Sequence, residues 1–333
     1  MSKDWKILIT DYAWSSIEPE REIISQIGGE VIVADSGTET ELLKLAPSVD
    51  AILTCWKPVQ ERILNAAEKC QIISRYGIGV DNINVESATE HGIIVTNVPK
   101  YCVDEVSEHT FALLLSCVRQ TSRHNRSVRS GKWDCTIGQK MYRLRGKTLG
   151  VIGFGNIAKS VIQKAKSFGL EVIVYSPRTS QEEIEGHDSL KVSFETLLSE
   201  SDIITIHAPL THETHHMFRF QEFRQMKKTA YLINTARGAI VDSGALEKAL
   251  NSEEIAGAGI DVLEAEPPYV DEPLLYMNNV VITPHSAFVS EESIHELQVN
   301  AANSVVKVLS GQLPETVINP AVLEQNNLRA NIT

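Results

Sequence analysis

The run Gly150-Val151-Ile152-Gly153-Phe154-Gly155-Asn156-Ile157-Ala158 decides the fold of this chain. It begins inside the apolar stretch Thr148 to Ile152 and passes into a helical pattern of Ile157, Val161, Ile162, Ala165 and Phe168. The spacing is G-x-G-x-x-A at a strand-to-helix turn, where a dinucleotide pyrophosphate can rest on a helix N-terminus. Gly153 allows the tight turn, Gly155 lets backbone approach phosphate, and Ala158 takes the place of a third glycine at the helix-strand contact. Alone, the spacing is common. The strand before it, the helix after it and a second strand ending about twenty residues on make it specific. The chain is therefore expected to bind NAD or NADP, with Asn156 and Ile157 opening the helix beneath the phosphates.

Working outward, 333 residues are long for one core, so two domains are expected, and a hydrophobic content of 43% is ample for buried sheets. The formal charge of -12, with acids and bases interspersed, argues against nucleic acid or an anionic membrane as partner. The start, Met-Ser-Lys-Asp-Trp-Lys, lacks the pattern of a signal peptide, and no apolar run approaches a membrane span, so a cytoplasmic protein is expected. The five cysteines (Cys55, Cys70, Cys102, Cys117, Cys135) are scattered without C-x-x-C spacing, which fits reduced thiols better than disulfides or zinc.

The first hundred residues alternate strand-like runs (Lys6-Ile9, Val31-Ala34, Ala51-Thr54, Ile72-Arg75, Ile93-Thr96) with helical patterns. That is the pattern of a doubly wound α/β domain. One long helix is expected from Val103 to roughly Ser130, ended by Gly131. After the dinucleotide turn, further strands are read at Val172-Tyr175, Ile203-His207, Ala230-Asn234, Ala256-Ile260 and Val280-Thr283, and a last helix from Ser290 to about Leu309.

Several stretches then agree with one family. Arg75-Tyr76-Gly77-Ile78-Gly79-Val80-Asp81-Asn82 is similar to its substrate loop. Asn234-Thr235-Ala236-Arg237-Gly238, Asp261-Val262-Leu263-Glu264-Ala265-Glu266-Pro267 and Thr283-Pro284-His285-Ser286-Ala287 resemble its three catalytic blocks. The family is the D-isomer-specific 2-hydroxyacid dehydrogenases, and Asn97 to Val106 with Ser290-Glu291-Glu292-Ser293 resemble the branch related to the C-terminal binding proteins. The resemblance implies two parallel-sheet α/β domains with the active site in a cleft: a flavodoxin-like substrate domain (1–100 and 290–333) and an inserted Rossmann cofactor domain (101–289). It also implies a homodimer built on the long helix that precedes the dinucleotide turn.

Hydride transfer between nicotinamide and a small 2-oxo acid needs a cation for the carboxylate and carbonyl, a general acid for the developing alkoxide, and a group that keeps that acid protonated. Arg237 suits the first task, because guanidinium stays charged and offers paired donors. His285 suits the second and Glu266, beside it, the third. The backbone N–H groups of Ile78 and Gly79 are expected to take the substrate carboxylate, with Arg75 as a further substrate contact. Arg75 and, more weakly, Lys57 also suggest substrates with a second negative charge. The resemblance puts Asp261 at the nicotinamide side of the cofactor, and places Thr110, Thr235, Ala236 and His207-Ala208-Pro209 along it. Taken singly, each of these has a bland reading: a surface ion pair for Arg237, a satisfied structural histidine for His285, solvated carboxylates for Glu264 and Glu266.

Members that prefer NAD carry an acid at the end of the second strand; here Val172-Ile173-Val174-Tyr175 leads to Ser176-Pro177-Arg178. Serine removes the repulsion of a 2′-phosphate and Arg178 can bind one, so NADP(H) is favoured over NAD(H). His212-Glu213-Thr214-His215-His216 matches the H-E-x-x-H zinc pattern, but it follows Pro209 where a loop is expected, so no metal is expected. The chain ends soon after Asn319-Pro320 without an added regulatory domain, which favours a metabolic enzyme. The alternative is a dinucleotide-sensing regulatory scaffold like the C-terminal binding proteins.

Overall fold

Ile7, Leu8 and Ile9, like Ile52, Leu53, Ile72 and Ile73, are almost wholly removed from solvent. Strands buried on both faces read as continuous apolar runs and call for helices on both sides. A computed structural model of the protein, which describes residues 4–332, has this arrangement. The chain divides into two compact units, Met1–Tyr101 with Ser290–Thr333, and Cys102–Val289.

In the first unit, β1 (Lys6–Ile9), β2 (Glu30–Val33), β3 (Ala51–Thr54), β4 (Ile72–Arg75) and β5 (Ile94–Thr96) alternate with α1 (Glu18–Ser25), α2 (Glu39–Leu45), α3 (Glu61–Ala66) and α4 (Val85–Glu90). The sheet is parallel, in the flavodoxin-like order β2-β1-β3-β4-β5. The C-terminal helix Glu291–Leu309, the twelfth along the chain (α12), packs on α1 and β4 and accepts a bond from Ser74 Oγ at its Ala301 carbonyl (3.1 Å). Glu20 in α1 is wholly buried and accepts from Tyr76 Oη (3.0 Å) and Gln298 Nε2 (2.7 Å).

The second unit opens with α5 (Val103–Arg119) and α6 (Thr121–Arg129) and continues through β6 (Thr148–Ile152), α7 (Asn156–Ser167), β7 (Glu171–Tyr175), α8 (Gln181–Glu185), β8 (Leu190–Lys191), α9 (Phe194–Glu200), β9 (Ile203–Ile206), α10 (Phe220–Gln225), β10 (Tyr231–Asn234), α11 (Ser243–Asn251), β11 (Gly257–Ile260) and β12 (Val280–Ile282). The parallel sheet runs β12-β11-β10-β9-β6-β7-β8, so its order reverses at β6. That reversal opens a ligand crevice at the strand C-termini. Phe111, Leu114, Val161 and Ile162 fill one face of the sheet; Leu197, Phe218, Phe223 and Leu246 fill the other. Each such side chain contributes about 1.5–3 kcal/mol.

The single helix expected from Val103 to Ser130 is two helices. Gln120 between them is left-handed (φ 53°) and nearly buried, with Nε2 donating to the Gln139 carbonyl (2.7 Å) and Oε1 accepting the Gln139 amide (3.1 Å). No glycine or proline marks the break locally; a tie to a residue further along the chain makes it. Among the described residues no helix is long and apolar enough to cross a membrane. None of the five cysteines is in a disulfide, and four of them are buried.

Candidate active site

Gly153 (φ 92°) turns the chain out of β6 so tightly that a β-carbon would fall 2.5 Å from the His207 carbonyl oxygen. Gly155, the N-cap of α7, has no side-chain cap, and nothing lies within 4 Å of where its β-carbon would be. The first N–H groups of α7, at Asn156 and Ile157, therefore open onto a cradle bare of side chain, which fits a dinucleotide diphosphate. Ala158 is fully buried behind them. His207 follows β9, its amide bonded to the Ile152 carbonyl (2.8 Å) and its Nε2 to Thr205 Oγ1 (2.9 Å). Loss of solvation pulls the His207 pKa down to about 3, so it is neutral at working pH. Ala208 and Pro209 continue from it. At the end of β7, Ser176 Oγ pairs with Thr179 Oγ1 (2.8 Å) while Arg178 is exposed. The Thr211 hydroxyl, the Glu213 amide and the charge of Arg178 hold Glu213 below the usual carboxylate range.

Arg237 stands just past β10. Asn234 folds the turn beneath it: its Oδ1 accepts the Ala236 amide (3.0 Å) and its Nδ2 donates to the Arg237 carbonyl (2.9 Å). Arg237 is half-buried, with Nη1 on the Ala236 carbonyl (2.8 Å). Thr235 Oγ1 meets Thr110 Oγ1 of α5 at 3.1 Å. Thr110 is fully buried and donates to the Val106 carbonyl (2.8 Å), so its hydroxyl serves the protein frame.

His285 follows β12 in a left-handed conformation (φ 51°), and its Nδ1 lies 2.6 Å from Glu266 Oε2. Glu266 Oε1 accepts the Leu263 amide (2.9 Å), so neither the acid nor the base is merely solvated. The Phe288 ring stands edge-on to His285, centroids 6.3 Å apart. Asp261 holds this loop from below. Its Oδ1 accepts the Thr283 hydroxyl (2.6 Å) and the Ser286 amide (2.9 Å), its Oδ2 the Ala287 amide (2.9 Å), and its carbonyl the His285 amide (2.7 Å). The resemblance implies a nicotinamide contact for Asp261; its carboxylate is turned into the loop of His285.

Residues His212 to His216 lie in a turn rather than on a helix, so the zinc-like spacing does not set two histidines on one helical face. His216 is instead paired with Glu264, Nε2 to Oε1 at 2.5 Å, while Glu264 Oε2 accepts the Ser243 amide (2.9 Å). Burial opposes the Glu264 charge, but these bonds outweigh it and lower its pKa. Glu264 thus ties the Glu266 block to α11 and to the loop after β9. That role escaped sequence reading although Glu264 stands in the quoted block, and so did the contact of His109 Nε2 with Thr283 Oγ1 (2.8 Å), since His109 stands in no motif.

In the first unit, Arg75 is nearly buried and its guanidinium folds over the next turn: a β-carbon on Gly77 would lie 1.2 Å from Arg75 Nη1. The turn is held by its carbonyls. Asn97 Nδ2 donates to Ile78 (2.7 Å) and the Val98 amide to Gly77 (3.0 Å). The carbonyls of Gly77 and Ile78 are thus engaged within the protein, beside the nearly buried Arg75. Lys57 packs its stem against Gly37.

A doubly wound unit with a bare glycine turn, an arginine and a carboxylate-paired histidine defines a nicotinamide dinucleotide oxidoreductase. Residues 111–287 match the family model of the D-isomer specific 2-hydroxyacid dehydrogenase NAD-binding domain. The chain is 42% identical over 289 residues to the glyoxylate reductase of Thermococcus litoralis, covering 85% of this chain and 87% of that one. It is 38% identical over 328 residues to the D-3-phosphoglycerate dehydrogenase of Methanocaldococcus jannaschii, covering 97% of this chain and 61% of that enzyme. The Aquifex aeolicus D-lactate dehydrogenase, solved with NAD and lactic acid, superposes with a TM-score of 0.85 at 26% identity, over 94% of this chain and 99% of that one.

The chain belongs to the D-isomer-specific 2-hydroxyacid dehydrogenase family. It is a nicotinamide-dinucleotide-linked 2-hydroxyacid dehydrogenase, and the reading as a regulatory scaffold finds no support among these relatives.

Proposed function

We propose that the protein reduces a small 2-oxo acid of the glyoxylate or hydroxypyruvate type to its D-2-hydroxy acid, and runs the reverse oxidation. The observation that carries this reading is the 2.6 Å contact between His285 Nδ1 and Glu266 Oε2. On this reading Nε2 serves the substrate oxygen. In reduction, protonated His285 gives its Nε2 proton to the developing alkoxide while Glu266 keeps hold of Nδ1–H. In oxidation the neutral ring takes the hydroxyl proton. Arg237 binds the carboxylate and polarises the 2-oxo group, and the amides of Ile78 and Gly79 are assigned to the same carboxylate. Bound nicotinamide dinucleotide supplies or accepts the hydride. Gly153, Gly155, Asn156 and Ile157 are assigned to its diphosphate, and Thr235, Ala236, Ala208 and Pro209 to its flank. Because Arg75 folds back on its own turn, a substrate with a single negative charge suits this chain better than a phosphorylated one.

Ser176 and Arg178 favour NADPH over NADH. We assign residues 102–289 to cofactor and 1–101 with 290–333 to substrate. A cytoplasmic homodimer is the expected state, and the exposed Trp133 and Tyr142 after α6 support an interface between copies there. Turnover of glyoxylate, hydroxypyruvate, pyruvate and phosphohydroxypyruvate, each with NADH and NADPH, tests the proposal. No reduction of any of them would refute it; a preference for phosphohydroxypyruvate would refute the substrate class.

A further inference from the structure

Two adjacent residues of α5, His109 and Thr110, reach the two loops that carry the proposed chemistry. Helix α5 packs across β10, β11 and β12, the strands whose ends bear Arg237, Asp261 and His285. Thr110 bonds to Thr235 (3.1 Å), two residues before Arg237. His109 Nε2 lies 2.8 Å from Thr283 Oγ1 and 3.5 Å from Asp261 Oδ1. The Thr283 hydroxyl has one hydrogen and gives it to Asp261 (2.6 Å). At His109 it must therefore accept, which fixes a proton on His109 Nε2. The chain His109→Thr283→Asp261 ends on a fully buried carboxylate that also receives the amides of Ser286 and Ala287, the two residues that follow His285.

We propose that His109 is a positioning residue for the acid. Its Nε2–H orients the Thr283 hydroxyl toward Asp261, and Asp261 then holds the left-handed backbone of His285 that brings Nδ1 to Glu266. With Thr110 on the Arg237 loop, one helical step braces both blocks. The inference rests on the reading of His285 as the acid. Misplacing a catalytic group by about 1 Å can cost on the order of 100-fold in rate, so the brace acts on kcat.

The test compares wild type with His109→Ala, His109→Gln, Thr283→Val, Thr283→Ser and the double variant His109→Ala/Thr283→Val. Kinetics are paired with amide hydrogen exchange at Ser286 and Ala287 in the cofactor-free protein. His109→Ala and Thr283→Val are expected to lower kcat about tenfold to a hundredfold, with substrate KM nearly unchanged, and to speed exchange at both amides. His109→Gln, whose Nε2 can replace the imidazole donor, and Thr283→Ser are expected within about threefold of wild type, and the double variant no worse than the poorer single one, as for residues acting in one chain. Wild-type kcat or unchanged exchange in His109→Ala, additive losses in the double variant, or a Gln variant as poor as Ala would overturn it. If His109→Ala does not fold, the Gln variant and the Thr283 pair still decide. A wild type that turns over no 2-oxo acid would sink the functional reading, while the exchange data would still report on the brace.

Discussion

Gly238 lies directly on the backbone of Leu263: a β-carbon at Gly238 would fall 2.0 Å from the Leu263 carbonyl carbon. The loop of Arg237 and the loop of Glu266 therefore meet main chain to main chain, and the distance between cation and acid pair depends on a missing methyl group. Gly238→Ala is expected to push the loops apart and lower kcat/KM by about a hundredfold or more, since reacting groups tolerate little displacement. NAD(P)H fluorescence titration should remain close to wild type. Full turnover in this variant would show that the contact does not set the site.

His285→Ala should lose about 10²–10⁴ in turnover, the usual share of a general acid. Arg237→Ala should lose a similar amount, mostly through the carboxylate and carbonyl it holds. Glu266→Gln keeps the shape but not the charge beside Nδ1, so it should lower turnover while cofactor binding survives. Steady-state rates, with cofactor titrations alongside, check all three. A wild-type rate in either alanine variant contradicts the assignment, and a Gln variant with a wild-type rate removes Glu266 from it.

Burial raises the Glu20 carboxyl above its ordinary 4.5, and its bonds from Tyr76 and Gln298 only partly offset this. The sign follows. The folded state holds this proton more tightly than the unfolded chain, so stability is greatest below the unfolded pKa and falls as pH rises through the folded one. Glu20→Gln removes that dependence. Thermal melts over a pH series rising from below the ordinary 4.5 should show wild type losing ground to the variant as pH increases. A difference in Tm that does not change with pH would rule this out.

Arg178→Ala should weaken NADPH selectively, by about tenfold to a hundredfold in kcat/KM, and leave NADH nearly unchanged. Ser176→Asp should turn preference toward NADH by accepting from the ribose hydroxyls and repelling a 2′-phosphate. Kinetics with both nucleotides at one salt concentration decide the matter. Equal losses with the two would make Arg178 structural.

Much of this architecture is legible in the chain itself. Continuous apolar runs such as Ile52-Leu53 and Ile203-Ile204 name buried parallel strands, because a strand covered on both faces has no polar side to show. The glycines at 153 and 155 announce the dinucleotide turn, because the backbone at Gly153 admits no side chain and that at Gly155 stays bare for a phosphate. Arg237, Glu266 and His285 stand in blocks that resemble those of one family, while each residue taken singly has a bland reading.

Tertiary structure decided the rest. Nothing near Gln120 predicts a break, since the partner that holds it left-handed is Gln139. His109 lies 174 positions from Thr283, and His216 lies 48 from Glu264. Local propensity has no reach over such separations; the order of strands in the sheet chooses which side chains meet. Sequence determined which groups could do the chemistry. Only the fold determined that Asp261 holds the loop of His285, that Glu264 ties the blocks together, and that one turn of α5 touches both Arg237's strand end and His285's.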